Sequence, residues 1–287
     1  MSGMIRRRCY AFNTSLPSSH SAKSRKVSLE EKDLLVDELP AGLIRERIPN
    51  HVAVIMDGNR RWAKQKGLTT RDGHDAGLGR VLELIPLCCK YGVKVLTVFA
   101  FSTENWNRSQ EEVAIIMLLF GKLFMENLET FMREGVRVSV IGDWAKLPRS
   151  LQRCITKVTK STNNNTRFHL IMAINYGGRH DIIQACRNIS HKVKDGVIKP
   201  KDINEALINQ ELRTNCTEFP YPDLLIRTSG EQRISNFLMW QLAYTELYFE
   251  SSFWPDFGNK EFVKALLSFQ GRNRRFGGEP SPGKQIG

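Results

Sequence analysis

The chain of 287 residues is 41% hydrophobic and 25% charged, which is typical of a globular protein and excludes a disordered or collagen-like chain. Lysine and arginine outnumber aspartate and glutamate by 42 to 30, and this balance favours anionic partners such as nucleic acid, phosphorylated metabolites or a membrane surface. Apolar runs such as residues 113–120 are far shorter than the roughly 20 residues that span a bilayer. We therefore predict no transmembrane segment, and peripheral contact with a membrane stays open.

The N-terminus carries much of the positive charge. Residues 1–28 contain six basic side chains, several serines and no acidic residue. This composition is typical of an organelle transit peptide, and a disordered basic tail is the alternative. Because removal of this segment would halve the net charge, the nucleic-acid interpretation is weakened. We predict a transit peptide or disordered lead-in over residues 1–40, a folded domain over 41–278 and a flexible tail over 279–287.

Short apolar segments alternate with helical patterns along the rest of the chain. In chain order, we predict a strand at 52–56, a helix that begins near Asn59, a helix at 74–91, a strand at 96–102, a long helix at 111–135, a strand at 136–143, a helix at 148–162, a strand at 168–178, helices at 179–194 and 202–212, a strand at 223–230, a helix at 235–242, a strand at 246–251 and a helix at 259–270. Uniformly apolar strands separated by helices predict an α/β fold, with a central parallel sheet flanked by helices.

Polar motifs follow four of the predicted strands. They are Asp57-Gly58-Asn59, Ser102-Thr103-Glu104-Asn105, Asn175-Tyr176-Gly177-Gly178 and Arg227-Thr228-Ser229-Gly230. Right-handed crossovers bring the carboxyl ends of parallel strands to one edge of the sheet, where open α/β sheets bind their ligands. Four such strand ends together indicate a site more strongly than any one of them.

The first motif has the features of a phosphate-binding turn. A glycine permits a tight turn after the strand, a helix then begins, and its free N–H groups can bind phosphate with help from Arg60 and Arg61. Asp57 stands where a carboxylate can hold Mg²⁺ against that phosphate. The alternative is an ordinary Asp-Gly-Asn turn.

The last motif predicts a second anion site. Arg227, Arg233 and Ser235 surround a glycine turn after an apolar strand, which suits a second diphosphate, and a surface loop with solvated arginines is the alternative. Ser102 and Asn105 can position a leaving oxygen or a proton. The alternative there is a helix cap, since Ser109 is a good N-cap residue before the long helix.

Three further features bear on the site. Arg108 can bind phosphate, and His74 is either an ordinary residue at a helix N-terminus or a phosphate contact. The helix at 111–135 is apolar on more than one face, which is typical of core, of a tunnel wall or of a dimer interface. Two phosphate cradles beside an apolar helix fit a phosphorylated lipid.

These residues carry a family resemblance. The segments are HVAVIMDGNRRWAKQKG from His51, VFAFSTENWNR from Val98, NYGGRHDI from Asn175, LIRTSGEQRISNF from Leu225, and ELYF and WPDF from Glu246 and Trp254. In this order they resemble the cis-prenyltransferase family, that of undecaprenyl and dehydrodolichyl diphosphate synthases. The resemblance implies a homodimeric α/β fold with a hydrophobic tunnel. It also implies condensation of isopentenyl diphosphate with an allylic diphosphate to give a Z-prenyl diphosphate.

The resemblance further implies residue roles. Asp57 and Glu246 match carboxylates that hold Mg²⁺, and Ser102 and Asn105 match residues at the reacting carbons. The remaining matches bind substrate: the allylic diphosphate at Gly58, Asn59, Arg60 and Arg61, the isopentenyl diphosphate at Arg227, Arg233 and Ser235, aromatic contacts at Trp62 and Trp106, and a C-terminal arm with Arg275 and Gly277 that reaches the partner's active site.

Three positions depart from the family pattern. Thr70 stands where many members have arginine, which alters the expected grip on the allylic diphosphate, and Gln232 stands where many bacterial members have histidine. Leu123, followed by Phe124, falls where long-chain members often keep a small tunnel residue. Bulk there, together with the transit-like N-terminus, predicts a short- or medium-chain enzyme of the plastid stroma, and a cytoplasmic location is the alternative.

Four alternatives to this enzyme stay open or are set aside. A long-chain polyprenyl or dehydrodolichyl synthase and the irregular coupling of two dimethylallyl units belong to the same family. A non-catalytic scaffold subunit is disfavoured because Asp57, Arg227 and Arg233 are all retained. A nucleic-acid binder is disfavoured because no DNA- or RNA-binding motif is present, so we predict no nucleic-acid partner.

Overall fold

The computed structural model of the protein describes residues 39–275. Most of the predicted lead-in, Gly277 and the tail at 279–287 lie outside the described residues, so those predictions stay untested. The domain boundaries at 41 and 278 likewise stay predictions.

The central element is one sheet of six strands, all parallel, in the order β3-β4-β2-β1-β5-β6. The strands are β1 (His51–Ile55), β2 (Val95–Ser102), β3 (Val136–Ile141), β4 (Phe168–Tyr176), β5 (Leu224–Arg227) and β6 (Glu246–Phe249). Every residue of β1, β4 and β5 is buried, as expected for strands covered on both faces. The predicted α/β fold with a parallel sheet is confirmed.

Eight α-helices accompany the sheet in the described residues. They are α1 (Asn59–Gln65), α2 (Thr70–Tyr91), α3 (Gln110–Glu126), α4 (Leu128–Arg133), α5 (Arg149–Thr162), α6 (Gly178–Lys194), α7 (Glu205–Glu211) and α8 (Asn259–Gln270). Alternate residues of β1 enter two different apolar clusters: Val52 and Val54 pack with α2, α3, α5 and α8, whereas Ala53 and Ile55 pack with the segment around Phe237. The period of two residues in a strand explains this alternation.

The predicted long helix at 111–135 is wrong, because the chain forms two helices that meet at Asn127. The side-chain Nδ2 of Asn127 donates to the Leu123 carbonyl at 2.9 Å, and its backbone N–H donates to the same oxygen at 3.3 Å. Asparagine competes in this way with the regular backbone ladder, and it favours helix ends. The apolar pattern continued across the break, so periodicity alone could not reveal it.

The predicted helix at 235–242 is also wrong. Ser235, Asn236 and Leu238 have φ values of 47°, 62° and 43°, and left-handed residues interrupt a right-handed helix. The segment forms successive turns instead. Phe237 and Leu238 are fully buried and fasten these turns to the sheet. The consequence is functional, because the turns hold Ser235 close to the end of β5.

Candidate active site

The sheet brings the polar motifs together at one edge. Ile55 at the end of β1 is level with Phe99 of β2 and Arg227 of β5, and Phe99 is level with Ala173 of β4. A cavity of about 540 Å³ opens at this edge. Most predicted site residues line it, namely Asp57, Gly58, Asn59, Arg60, Arg61, His74, Ser102, Asn105, Arg108, Arg227, Arg233 and Ser235.

Gly58 makes the turn between β1 and α1. Its φ of 105° is rarely adopted by residues with a side chain, and an added Cβ would lie 2.6 Å from Cδ1 of Phe253. Only glycine therefore fits between the strand and that ring. The turn aims the first N–H groups of α1 at the cavity, where they have no acceptor within the helix.

Asp57 is held in place through its backbone. The Thr228 hydroxyl accepts the Asp57 N–H at 3.0 Å and donates to the Asp57 carbonyl at 2.7 Å. The carboxylate accepts from Arg227 at 2.8 Å and from Arg61 at 3.3 Å. Burial raises the pKa of Asp57, but the hydrogen bond and charge of Arg227, with the charge of Arg61, outweigh burial and lower that pKa. An ionised carboxylate thus lines the cavity, between Arg61 and Arg227.

Arg227 organises the second half of the site. Its side chain is 5% exposed, and it donates to the Ser235 hydroxyl at 2.7 Å and to the Arg233 carbonyl. These contacts hold Arg227, Arg233 and Ser235 together at one wall of the cavity. Within residues 39–275, the Nε of Arg227 is buried without a hydrogen-bond partner. The guanidinium therefore keeps donor capacity beyond its contacts in the chain.

The sequence interpretation missed Glu231 and Thr228. Glu231 lines the cavity and pairs with both Arg61, at 3.3 Å, and Arg233. It therefore links the two arginine clusters. Both missed residues lie inside the motif RTSGEQR, in which the arginines were predicted to bind an anion. The acidic residue between two arginines was the sequence signal that could have indicated Glu231.

Ser102 and Asn105 line the cavity and also form a local cap, and their predicted role at a leaving oxygen or a proton stays a prediction. The Asn105 side chain accepts the Ser102 N–H at 3.0 Å and so caps a short 3₁₀ turn at Thr103–Asn107, while both residues line the cavity. Ser109 caps α3 by accepting the Glu112 N–H at 3.3 Å, as predicted. Capping fixes the two cavity residues in position.

The two tryptophans do not line the cavity. The Trp62 Nε1 donates to Asp256 at 2.8 Å, and the Trp106 Nε1 donates to Asn175 at 2.8 Å. The Trp62 indole is therefore bonded to the segment before α8, and the Trp106 indole to the end of β4. Their predicted contact with substrate stays a prediction.

One wall of the cavity is apolar and comes from α3. Ile116, Leu119 and Phe120 line it, and each is at most 5% exposed. Leu123 and Phe124, the predicted tunnel residues, lie one turn further along α3 and pack into the core without lining the cavity. On α3 the aromatic residue at the cavity is therefore Phe120, and Phe99 and Trp254 line the cavity from other elements. One helical turn separates Phe120 from the predicted positions, and periodicity does not distinguish them.

The comparisons with known proteins decide the family. Residues 55–277 match the family model of undecaprenyl diphosphate synthases. The chain belongs to this family. A tomato (Solanum lycopersicum) relative named cis-prenyltransferase 4, chloroplastic, is 58% identical over 243 residues, which is 85% of this chain and 79% of that protein. A chloroplastic (2Z,6Z)-farnesyl diphosphate synthase from the same plant is 56% identical, over 81% of this chain and 80% of its own length.

A solved structure shares the fold. The crystal structure of lavandulyl diphosphate synthase from Lavandula x intermedia, in complex with dimethylallyl diphosphate, superposes with a TM-score of 0.79. Its sequence is 43% identical, and the match covers 81% of this chain and 99% of that one. Among the described residues of this undecaprenyl diphosphate synthase family member, no helix has the length and apolar character needed to cross a membrane.

Glu246 lies at the opposite edge of the sheet from Asp57 within one chain. Glu246 begins β6 and is level with Leu224, whereas Asp57 lies beyond the level of Arg227. Three residue steps alone separate those levels by about 10 Å. The Glu246 carboxylate instead pairs with Arg272 at 2.7 Å. The strand predicted at 246–251 also begins at Glu246, in agreement with this position, and the predicted role of Glu246 in Mg²⁺ binding stays a prediction.

The C-terminal segment runs along the amino edge of the sheet, where β6 begins and which is opposite the cavity. Arg274 pairs with Asp223, just before β5, at 2.7 Å. The exposed Arg275 follows, and it does not line the cavity of its own chain. Gly277 lies outside the described residues.

Proposed function

We propose that this protein is a cis-prenyltransferase that condenses isopentenyl diphosphate with an allylic diphosphate to form a Z-prenyl diphosphate. The observation that carries the proposal is the pairing of two arginine-rich walls around one ionised carboxylate, in a cavity whose other wall is apolar. Arginine forks suit diphosphates, and the apolar wall suits a prenyl chain. The family membership supports the same reaction.

The two diphosphates have separate candidate positions. The Gly58 turn with Arg60 and Arg61 would take the allylic diphosphate, and Arg227, Arg233 and Ser235 would take isopentenyl diphosphate. When the allylic C–O bond breaks, the leaving diphosphate keeps the electron pair, and arginines stabilise that charge. The isopentenyl double bond attacks the allylic carbon, and proton loss then gives the new double bond. Side-by-side binding supplies the orientation.

The Asp57 carboxylate fits Mg²⁺. This ion favours oxygen ligands and is commonly held by one or two carboxylates together with substrate phosphates. Within residues 39–275, no group of three His, Cys, Asp or Glu side chains could hold a metal alone, so substrate oxygens would complete the coordination. When bound, Mg²⁺ would neutralise charge on the departing diphosphate.

We infer a short or medium product. Phe120 and Leu119 are bulky apolar side chains of α3 in the lining of the cavity. Bulk in the wall that faces a prenyl chain leaves less room for the chain to grow. The relative named (2Z,6Z)-farnesyl diphosphate synthase supports a short chain, whereas lavandulyl diphosphate synthase supports irregular coupling as a second candidate.

Assembly and location complete the proposal. Arg272 and Arg274 fasten the C-terminal segment to the sheet edge opposite the cavity, which supports a homodimer in which Arg275 and Gly277 serve the partner's site. The basic, serine-rich N-terminus and the chloroplastic relatives support the plastid stroma.

Product analysis tests the function. Purified protein would be incubated with Mg²⁺, dimethylallyl diphosphate and labelled isopentenyl diphosphate, and the dephosphorylated products read for length and geometry. We expect a single Z-product of about two to four isoprene units, because bulky side chains of α3 line the cavity and a relative is a short-chain synthase. A long ladder would replace the short-chain inference, and a branched product from dimethylallyl diphosphate alone would reveal irregular coupling. No product from folded protein would overturn the enzyme proposal and favour a scaffold subunit.

A further inference from the structure

A buried carboxylate beside the cavity joins three of its cationic or hydrogen-bonding residues. Glu112, in the first turn of α3, has a side chain that is only 10% exposed. It accepts from Arg60 at 3.1 Å, from His74 at 3.1 Å and from Arg108 at 2.9 Å. The three partners come from α1, α2 and the segment before α3. All three line the cavity, whereas Glu112 does not.

These contacts determine the ionisation of Glu112 and the hydrogen-bonding role of each partner. Burial raises the pKa of Glu112, but the hydrogen bond from His74 and the charges of Arg108 and Arg60 outweigh it and lower that pKa. An ionised carboxylate can only accept, so His74 must donate its Nε2–H to it. Each arginine uses one terminal nitrogen on Glu112, which leaves the rest of its planar fork for a ligand.

We propose that Glu112 is a positioning residue for the allylic diphosphate. It holds Arg60, Arg108 and His74 at the cavity wall before substrate arrives, without touching substrate itself. Free arginine side chains lose rotamer freedom when they bind a ligand, and prior anchoring removes that cost. The inference rests on the proposed function, because it assigns these groups to the allylic side of the same cavity.

The charge of Glu112 also has an opposing effect. A carboxylate near an anion site weakens the attraction for diphosphate, so its removal could tighten binding by simple electrostatics. Two arginines face the one carboxylate, however, and the cluster keeps a net positive charge. We therefore expect the loss of positioning to dominate, so that removal of the Glu112 charge weakens diphosphate binding. Tighter binding would show instead that simple electrostatics dominates.

Glu112→Gln in the full chain tests this, because it removes the charge and keeps the shape. Charge-assisted hydrogen bonds are strong, so we expect the KM for the allylic diphosphate to rise about tenfold or more. The KM for isopentenyl diphosphate should change less than about twofold. The matched control is Glu211→Gln: Glu211 is also 10% exposed, pairs with Lys192 and Asn188, and does not line the cavity. It should change neither KM.

Further measurements separate the outcomes. Glu112→Asp keeps the charge and should recover part of the allylic affinity, and thermal melting of all variants reports folding. An unchanged or lower allylic KM in Glu112→Gln would overturn the positioning role, and so would an equal rise of both KM values. Calorimetric binding of inorganic diphosphate reads the same role without chemistry. If the unsubstituted chain makes no product, the proposed function fails, and the diphosphate titration still decides whether Glu112 positions the anion site.

Discussion

The two edges of the sheet use the same chemical pair for different purposes. At the carboxyl edge, Arg227 pairs with Asp57 at 2.8 Å, and at the amino edge, Arg272 pairs with Glu246 at 2.7 Å. The Arg227 side chain is 5% exposed and also holds Ser235, whereas the Arg272 side chain is 34% exposed and ties the C-terminal segment to β6. A carboxylate–arginine pair therefore indicates a site only where it borders a cavity.

The largest expected effect comes from removing the carboxylate at the cavity. Asp57→Ala should lower kcat by about a hundredfold or more, because the group that fits Mg²⁺ is lost and the buried charge of Arg227 loses its partner. Steady-state kinetics at saturating Mg²⁺ measure this, and circular dichroism checks the fold.

The matched control lies at the other edge. Glu134→Gln removes the exposed carboxylate that pairs with Arg167 at 3.4 Å just before β3, and it should leave kcat within about threefold, since that pair borders no cavity. Near-normal turnover by Asp57→Ala would contradict the role of the carboxyl edge.

The apolar wall gives the next effect. Phe120→Ala should lengthen the product by one or more isoprene units, because it removes the ring that bounds the cavity. Leu123→Ala, one turn away, removes an equally buried side chain that does not line the cavity. We expect the unchanged product from that variant, with a loss of stability of about 2–5 kcal/mol. Chromatography of dephosphorylated products reads the lengths, and a longer product from Leu123→Ala alone would restore the original tunnel position.

Two buried histidines at the amino edge should make the stability of the fold depend on pH. His51 bonds to Thr97 at 2.7 Å and His169 to Ser139 at 2.8 Å, and burial lowers the pKa of each from 6.5 to about 4. The unfolded chain therefore binds more protons between pH 6.5 and pH 4. The stabilisation is complete above about pH 6.5 and is lost as the pH drops toward 4, by about 3 kcal/mol for each histidine.

Thermal melting between pH 4.5 and pH 7.5 measures this dependence. His169→Asn should flatten the curve, and His191→Asn, at an exposed position near the end of α6, should not. A flat curve for the unsubstituted chain would show that the two buried histidines do not govern acid stability.

Local pattern predicted the sheet well because each strand is an apolar segment bounded by turns. It failed where a single side chain overrides the pattern, as Asn127 does in the long helix. It also failed at 235–242, where positive φ values place Ser235 beside Arg227. Cavity-lining residues directly after strands were predictable. Glu112 was not, because two of its three partners, Arg60 and His74, are distant in sequence and meet it only in the fold.

The smallest expected effect comes from Glu246→Gln. The pair with Arg272 is partly exposed, and such pairs contribute at most about 1 kcal/mol, so the melting temperature should fall by only a few degrees. Arg272→Gln removes the other partner and also the hydrogen bond to the Leu247 carbonyl at 2.7 Å, so it should cost somewhat more stability. If Glu246→Gln instead raised the Mg²⁺ concentration for half-maximal activity while Arg272→Gln did not, the carboxylate would have to complete a metal site. Because Glu246 and Asp57 lie at opposite edges of the sheet, that site could form only between two chains. The amino edge would then be purely structural within one chain, but it would contribute to the active site of the dimer.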